Sequence, residues 1–275
     1  MILNPAIADV LINLGVGNRI VAQSGTNGLA KALPQNRAQM DRVPVLSANG
    51  MTSTAALLGV APDLVISDET MWLDPKLGGA SPDQLARAGI NTYTAVSGCG
   101  DGQHGKVTDV FTDVENYGEI FGVRDKAKQL VAALRARLHG IEARVAGTLK
   151  ITVFEFYKFG GQLADTAVGI EQDALSESGG ASIFPHSTGM KPVSKEAITA
   201  ADPQAFIELV KPGEPIDPAK EAAALKRAFP TTDAAKNGRI YFLDMAAAAS
   251  PGTARIIDGI AARAKWLHPD AFAAR

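Results

Sequence analysis

Cysteine is nearly missing from this chain of 275 residues: Cys99 stands alone, so no internal disulfide can form, and it makes no metal-ligand pattern with its neighbours. No run of about eighteen apolar residues occurs, which excludes a spanning helix. A basic surplus is missing too. Lysine and arginine number 27 against 29 aspartates and glutamates, a formal net charge of −2, so there is no cationic footprint for a phosphate backbone and nucleic acid is excluded as a partner. Catalytic signatures are equally scarce: there is no G-x-S-x-G elbow, H-E-x-x-H, Walker loop, or G-x-G-x-x-G after a strand. The nearest approach, Gly98-Cys99-Gly100-Asp101-Gly102, lacks the continuation of any of these. The expectation is a non-enzyme with no intrinsic cofactor.

What the chain does contain is a repeat. Thr54-Ala-Ala-Leu-Leu-Gly-Val-Ala-Pro-Asp-Leu-Val-Ile66 and Lys195-Glu-Ala-Ile-Thr-Ala-Ala-Asp-Pro-Gln-Ala-Phe-Ile207 each read as a short helix running into a strand. Proline cannot continue a helix and pushes its predecessor toward extended geometry, so Pro62 and Pro203 mark equivalent joints. Two similar α/β lobes follow. The length allows roughly three-quarters of the unfolded surface to be buried, enough for both, and a cleft between lobes is where a small molecule is usually held.

Along the chain, Met1–Asn4 reads as a strand stub, and the expectation is that an upstream export or anchoring segment has been removed. Asn4-Pro5 opens a helix whose apolar face is Ile7, Val10, Leu11 and Leu14, closed by Gly15. Strands are expected at Arg19–Gln23, Val43–Leu46, Asp63–Ser67 and Asn91–Val96, with a capping box at Ser81-Pro82-Asp83-Gln84. From Val123 to Ala146 there is no proline, and Val123, Ala127, Leu130, Val131, Leu134, Leu138, Ile141 and Val145 form one stripe. A helix of that length spans about 35 Å and is the obvious connector between lobes. The pattern then restarts with the strand Leu149–Phe156, a helix to Glu177, the second repeat, a helix near Ala219–Phe229, a strand at Arg239–Asp244 and a last helix ending at Leu267. Strand and helix alternate throughout, which predicts parallel sheets covered by helices. The expected architecture is an N-terminal lobe over 1–122, a connecting helix over 123–147 and a C-terminal lobe over 148–275, two Rossmann-like lobes with the ligand cleft between them.

A set of short pieces then carries a resemblance: Pro5–Leu11 with Leu14-Gly15 and Asn18–Val21, Ala61–Ile66, Leu85–Ile90, Tyr117–Val123, Val193–Glu196, Asn237–Tyr241 and Leu267–Asp270. In this order and spacing the chain resembles the substrate-binding proteins of ABC importers for iron-siderophores, haem and cobalamin, the group with a rigid helical backbone between lobes. The resemblance implies a periplasmic or lipid-anchored protein, expected to be a monomer, that captures its ligand and delivers it to a membrane permease. It also implies one exposed docking glutamate per lobe. Glu196 fits the second-lobe position, but the equivalent first-lobe position is Ala55, a departure that leaves open a binding or scaffold protein independent of a transporter. A single stiff connector further predicts a rotation of only a few degrees on binding.

Ligand contacts in open parallel sheets come from loops at the carboxyl ends of strands. That rule selects Ser24, Asn27, Asn49, Met51, Glu69, Met71, Trp72 and the loop Ser97–His104 in the first lobe. In the second it selects Tyr157, Lys158, Phe159, His186, Lys191 and Met245. Alternation in Phe154-Glu-Phe-Tyr-Lys-Phe159 buries Phe154 and Phe156 and leaves Tyr157 and Phe159 for the crevice. Trp72 is either a stacking platform or a hydrophobic cap; Trp266 is core. Cys99 with His104 supplies two ligands, which do not make a closed metal site, and His139 and His268 are read as surface residues. The preferred ligand is a ferric siderophore, whose large, often anionic, partly apolar body suits aromatic walls with a cation such as Lys158 or Lys191. Haem, held axially by Tyr157 or His186, and cobalamin are the alternatives.

Overall fold

The computed structural model describes residues 1–26, 32–48, 50–100, 103–189, 191–211, 215–248 and 251–273. The chain divides into two units, Met1–Arg135 with Ser250–Arg255, and Ala136–Ala249 with Ile256–Arg275.

The first unit is built on a parallel sheet in which Ile2 is the keystone. Gln23–Ser24 pairs with Val45–Ser47, Leu64–Ser67 pairs with Asn91–Thr94, and Ile2 bridges to both Gln23 and Ile66. The strand stub is thus the middle of the sheet, and the spatial order is third, second, first, fourth, fifth. Period-two alternation sends Met1, Leu3 and Val65 into one core with Leu57, Leu73 and Leu85. Ile2 and Ile66 point the other way and are also buried. Asn4 does not cap the first helix, Ile7–Asn13, from the N-cap position itself. Its side-chain Oδ1 instead accepts from the Ala6 N–H at 2.9 Å. The capping box at Ser81 and Gln84 is complete. Of the expected strand Arg19–Gln23 only Gln23 is paired; Gly17–Arg19 is a single 3-10 turn.

The two repeat segments correspond in cap, stop and following strand. Thr54–Val60 is capped by the Ser53 hydroxyl, which accepts from Ala56, and Lys195–Ala201 by the Ser194 hydroxyl, which accepts from Ala197. Each helix stops on a residue forced into left-handed geometry ahead of its proline: Ala61 and Asp202, both at φ 44. Strands Leu64–Ser67 and Ala205–Val210 follow directly.

The stripe that predicts a connector forms one helix, Arg124–Val145. Ala127, Val131, Leu134, Leu138 and Ile141, spaced four and three apart, are its buried residues, and the division between units falls within it.

The second unit departs from an all-parallel sheet. Its central strand, Ile151–Phe159, pairs in parallel with Ala205–Val210, which in turn pairs with Ile240–Asp244. On the other side its first half pairs in parallel with Gly180–Ser182, while its second half turns back on Gln162–Asp165 as an antiparallel hairpin. Lys191–Pro192 adds a further antiparallel edge. The cause is the turn Gly160-Gly161, with φ of 56 and 80: two consecutive positive values are what a two-residue hairpin turn matched to strand twist requires. Tyr157, Lys158 and Phe159 therefore continue the strand instead of forming a loop. Phe154 and Phe156 are fully buried, stacked with centroids 5.0 Å apart, beside Phe206 and Phe229.

Candidate functional site

In a sheet of this strand order the direction of winding reverses beside the first strand, and the crevice lies beyond the carboxyl ends there. In the first unit those ends are Asn4 and Asp68. They meet: Asn4 Nδ2 donates to Asp68 Oδ2 at 2.5 Å. Burial raises the Asp68 carboxyl above the usual range, and burial together with the Asp68 charge raises Glu69 as well. Trp72 is half-buried and packs on the Leu57, Leu73 and Leu85 core. A Cβ at Gly50 would lie 2.8 Å from its Cζ3, so the indole caps the core with one face laid on backbone.

Next to this pair the turn Val96–Gly98 is fastened from below. Asp113 Oδ1 accepts from the Tyr93 hydroxyl at 2.5 Å and from the Val96 N–H at 2.9 Å, and Asn116 donates to the Tyr93 oxygen at 3.0 Å. Burial pushes the Asp113 carboxyl up to about 6 against those hydrogen bonds. Gly98 sits so close to the Asp68 carbonyl that a Cβ there would overlap it. Asn4, Asp68, Tyr93 and Asp113 were not among the residues expected here. Their signal was positional, since Asp68 directly follows the strand Leu64–Ser67 and Asn4 the stub.

Of the expected first-unit contacts, Glu69, Met51 and Met71 sit at this edge, half-buried or exposed. Ser24 is fully buried, its oxygen accepting from Thr52 Oγ1 at 2.6 Å, so its hydroxyl is occupied inside the unit. Asn27 and Asn49 lie outside the described residues.

In the second unit the strand ends build two cavities. One, of about 320 Å³, is lined by Tyr157, Lys158, Glu208, Val210, Asp217 and Glu221 among others. Lys158 Nζ lies 2.9 Å from Glu208 and 2.5 Å from Glu221. Burial works against its charge, but the bonds to Glu221 and Glu208 outweigh this and raise its pKa. The expectation of Lys158 as a cation presented to ligand is thereby corrected: two carboxylates already surround it. Lys211 lies over the Tyr157 ring, 5.4 Å from its centroid, while Phe159 is 67% exposed at the hairpin end.

The other cavity, of about 410 Å³, follows the strand Gly180–Ser182 and is lined by Ile183, Phe184, Pro185, His186, Ser187, Lys191, Val193 and Asp165. Phe184 is set edge-on against Phe154 at 5.9 Å, which fixes the apolar wall to the core. His186 and Lys191 are exposed at the rim, and Lys191 Nζ donates to Thr188 Oγ1 at 2.8 Å. Met245, half-buried, begins the short helix after Asp244.

Two buried ion pairs were not foreseen. Arg263 and Glu155, both without exposed surface, form a two-pronged pair at 2.7 Å, and Asp9 holds Arg255 together with Asn36 and the Leu33 N–H. His268 corrects another expectation, being buried with Nε2 3.0 Å from the Gly179 carbonyl; His139 is exposed. Trp266 is half-buried and stacks on Tyr241 at 5.1 Å. Among the described residues no group of three or more His, Cys, Asp or Glu side chains is placed to hold a metal ion, and no helix is long and apolar enough to cross a membrane.

Comparison with known proteins agrees with this architecture. An uncharacterised ABC transporter substrate-binding lipoprotein of Bacillus subtilis is 25% identical over 284 residues, covering 98% of this chain and 80% of the relative. A periplasmic binding protein from Veillonella parvula has the same fold, with a TM-score of 0.84 at 20% identity over 98% of this chain and 90% of that one. A protein of an ABC-type Fe3+-hydroxamate transport system from Saccharomonospora viridis follows with a TM-score of 0.75 at 20% identity, covering 99% and 92%. The model of the periplasmic binding protein family matches residues 1–247, and the chain belongs to that family of ABC importer components.

Proposed function

We propose that this chain captures a ferric siderophore or a similar metal chelate outside the cytoplasm, as a monomer, and hands it to an ABC permease. Membership of the family supports a small-molecule ligand and a membrane partner. The observation that carries the metal-chelate reading is the second-unit cavity of about 410 Å³, with a rigid aromatic wall and a polar rim: a mostly apolar concavity with few polar groups suits a bulky, partly apolar guest. The Fe3+-hydroxamate system of the Saccharomonospora relative is consistent with that class. On this reading the first unit offers Trp72, Glu69 and Met51 for binding and the second unit, taken by itself, offers Tyr157, Phe159, His186 and Met245, while Glu196 docks on the permease.

The test is incubation of the purified protein with ferric siderophores, haemin and cobalamin in turn, followed by desalting and a visible spectrum. Retention of a broad ferric charge-transfer band is expected. A Soret or corrin spectrum in its place assigns haem or cobalamin, and a colourless protein in all three overturns the reading.

A further inference from the structure

We infer that the second-unit cavity holds its guest by a protonated amine, with Asp165 as the acceptor that fixes it. The inference deepens the proposed function and rests on its reading of this cavity as a ligand site. The sequence reading looked for a cation here; the structure supplies an acid. Asp165 lines the cavity of about 410 Å³ together with the apolar walls Ile183, Phe184, Pro185 and Val193. It is 1% exposed, and among the described residues no donor makes a hydrogen bond to either of its carboxyl oxygens. Ser187 lines the same cavity, but its hydroxyl donates to the Gly189 carbonyl at 3.2 Å.

The neighbouring charges leave Asp165 uncompensated. Glu155, on the strand that pairs with Gln162–Asp165, is met by both prongs of Arg263. Lys191 lies directly across the ladder from Asp165, yet its Nζ donates to Thr188 Oγ1 at 2.8 Å and not to the carboxyl. Burial raises the Asp165 carboxyl more than Ser187 and the Ala167 amide lower it, as befits an acid with no cation beside it. In either protonation state an oxygen lone pair is left without a donor. A guest that expels water from the cavity and offers no donor strands that oxygen and is penalised. A primary ammonium brings three N–H donors and the missing countercharge, a stronger contact than a hydroxyl gives, while its carbon stem packs on Phe184.

The experiment is calorimetric titration of wild type, Asp165→Asn and Lys191→Met with two ferric trihydroxamates that are identical except at the end of one arm, a primary ammonium in one and a methyl group in the other. Wild type is expected to bind the ammonium-ended chelate at least about tenfold tighter, the effect of one charge-assisted hydrogen bond to a buried carboxyl. Asp165→Asn brings the two affinities within about twofold by weakening the ammonium-ended probe, and Lys191→Met keeps the preference or widens it. Asp165→Ala serves the same purpose and needs no polar partner, so whichever Asp165 variant folds decides. Equal affinities in wild type, or a preference that survives loss of the carboxyl, overturn the inference and leave the proposed function standing. So does a preference that emerges only in Lys191→Met, since Lys191 is then the partner of Asp165. If wild type binds neither chelate, nor any other metal chelate, the proposed function fails and this inference with it.

Discussion

Arg263 reaches the core of the second unit with no exposed surface, and Glu155 meets it there as a two-pronged partner. Removing one partner of such a pair strands the other charge out of water, so Arg263→Ala is expected to cost about 3–5 kcal/mol in urea unfolding. Replacing both residues by methionine leaves no charge behind and is expected to recover most of that loss; a double variant no more stable than the single one would sink the argument. Asp113 makes a second residue-scale prediction. Its carboxyl is raised from 3.8 to about 6 in the fold, first by burial, so the native state binds its proton more tightly than the unfolded chain does. The stabilisation is complete below the unfolded value and is lost as pH rises through about 6. Asp113→Asn keeps an oxygen for Tyr93 and Val96 and no longer titrates. Unfolding free energies measured between pH 4 and 7 are therefore expected to fall less steeply with rising pH in the variant. Identical slopes would remove Asp113 as the cause. Neither residue was legible in the sequence, because a buried charge is announced by its partner, and the partners are 108 positions apart for Glu155 and Arg263.

At the scale of elements, local chemistry was readable wherever a residue has one strong steric preference. Pro62 and Pro203 marked the joints, and Ser81 with Gln84 marked a helix start, because each acts within a few residues of itself. The hairpin at Gly160-Gly161 was readable by the same logic and was passed over, because the alternation of α and β elsewhere argued for parallel strands only. The repeat yields a paired prediction. Ala61 and Asp202 share φ 44, a conformation that costs a residue with a Cβ about 1 kcal/mol and glycine almost nothing. Ala61→Gly is expected to be neutral or to stabilise by about 0.5–1 kcal/mol. Asp202→Gly is not, since Asp202 Oδ1 accepts from the Asp233 N–H at 2.8 Å and that hydrogen bond, worth about 1 kcal/mol, is lost with the side chain. Thermal unfolding of both variants decides the matter. A gain at both sites would show that the Asp202 contact contributes nothing.

For the whole molecule, the α/β class and the long helix Arg124–Val145 could be read because they are periodic, and periodicity survives without coordinates. Side-chain occupancy at the strand ends was read less well: only tertiary packing shows that Lys158 is occupied, Ser24 buried and Trp72 laid on Gly50. The repeat also frames the last prediction, which concerns the permease. Ala55 and Glu196 are both the second residue of a seven-residue helix capped by serine, and both are exposed. Only one of two equivalent corners therefore carries a carboxylate. An exposed ion pair contributes about 0–1 kcal/mol, a factor of up to roughly five in affinity, so each site shifts docking modestly and mostly through encounter. Glu196→Ala is expected to weaken binding to permease-containing vesicles two- to fivefold at low salt, on the order of one lost pair. Ala55→Glu is expected to strengthen it by a similar factor, and both effects shrink as ionic strength screens the charges. Surface-immobilised vesicles with and without permease give the comparison directly. No change in either variant would mean that these helix corners do not meet the permease, and would favour a protein that binds its guest without a transporter.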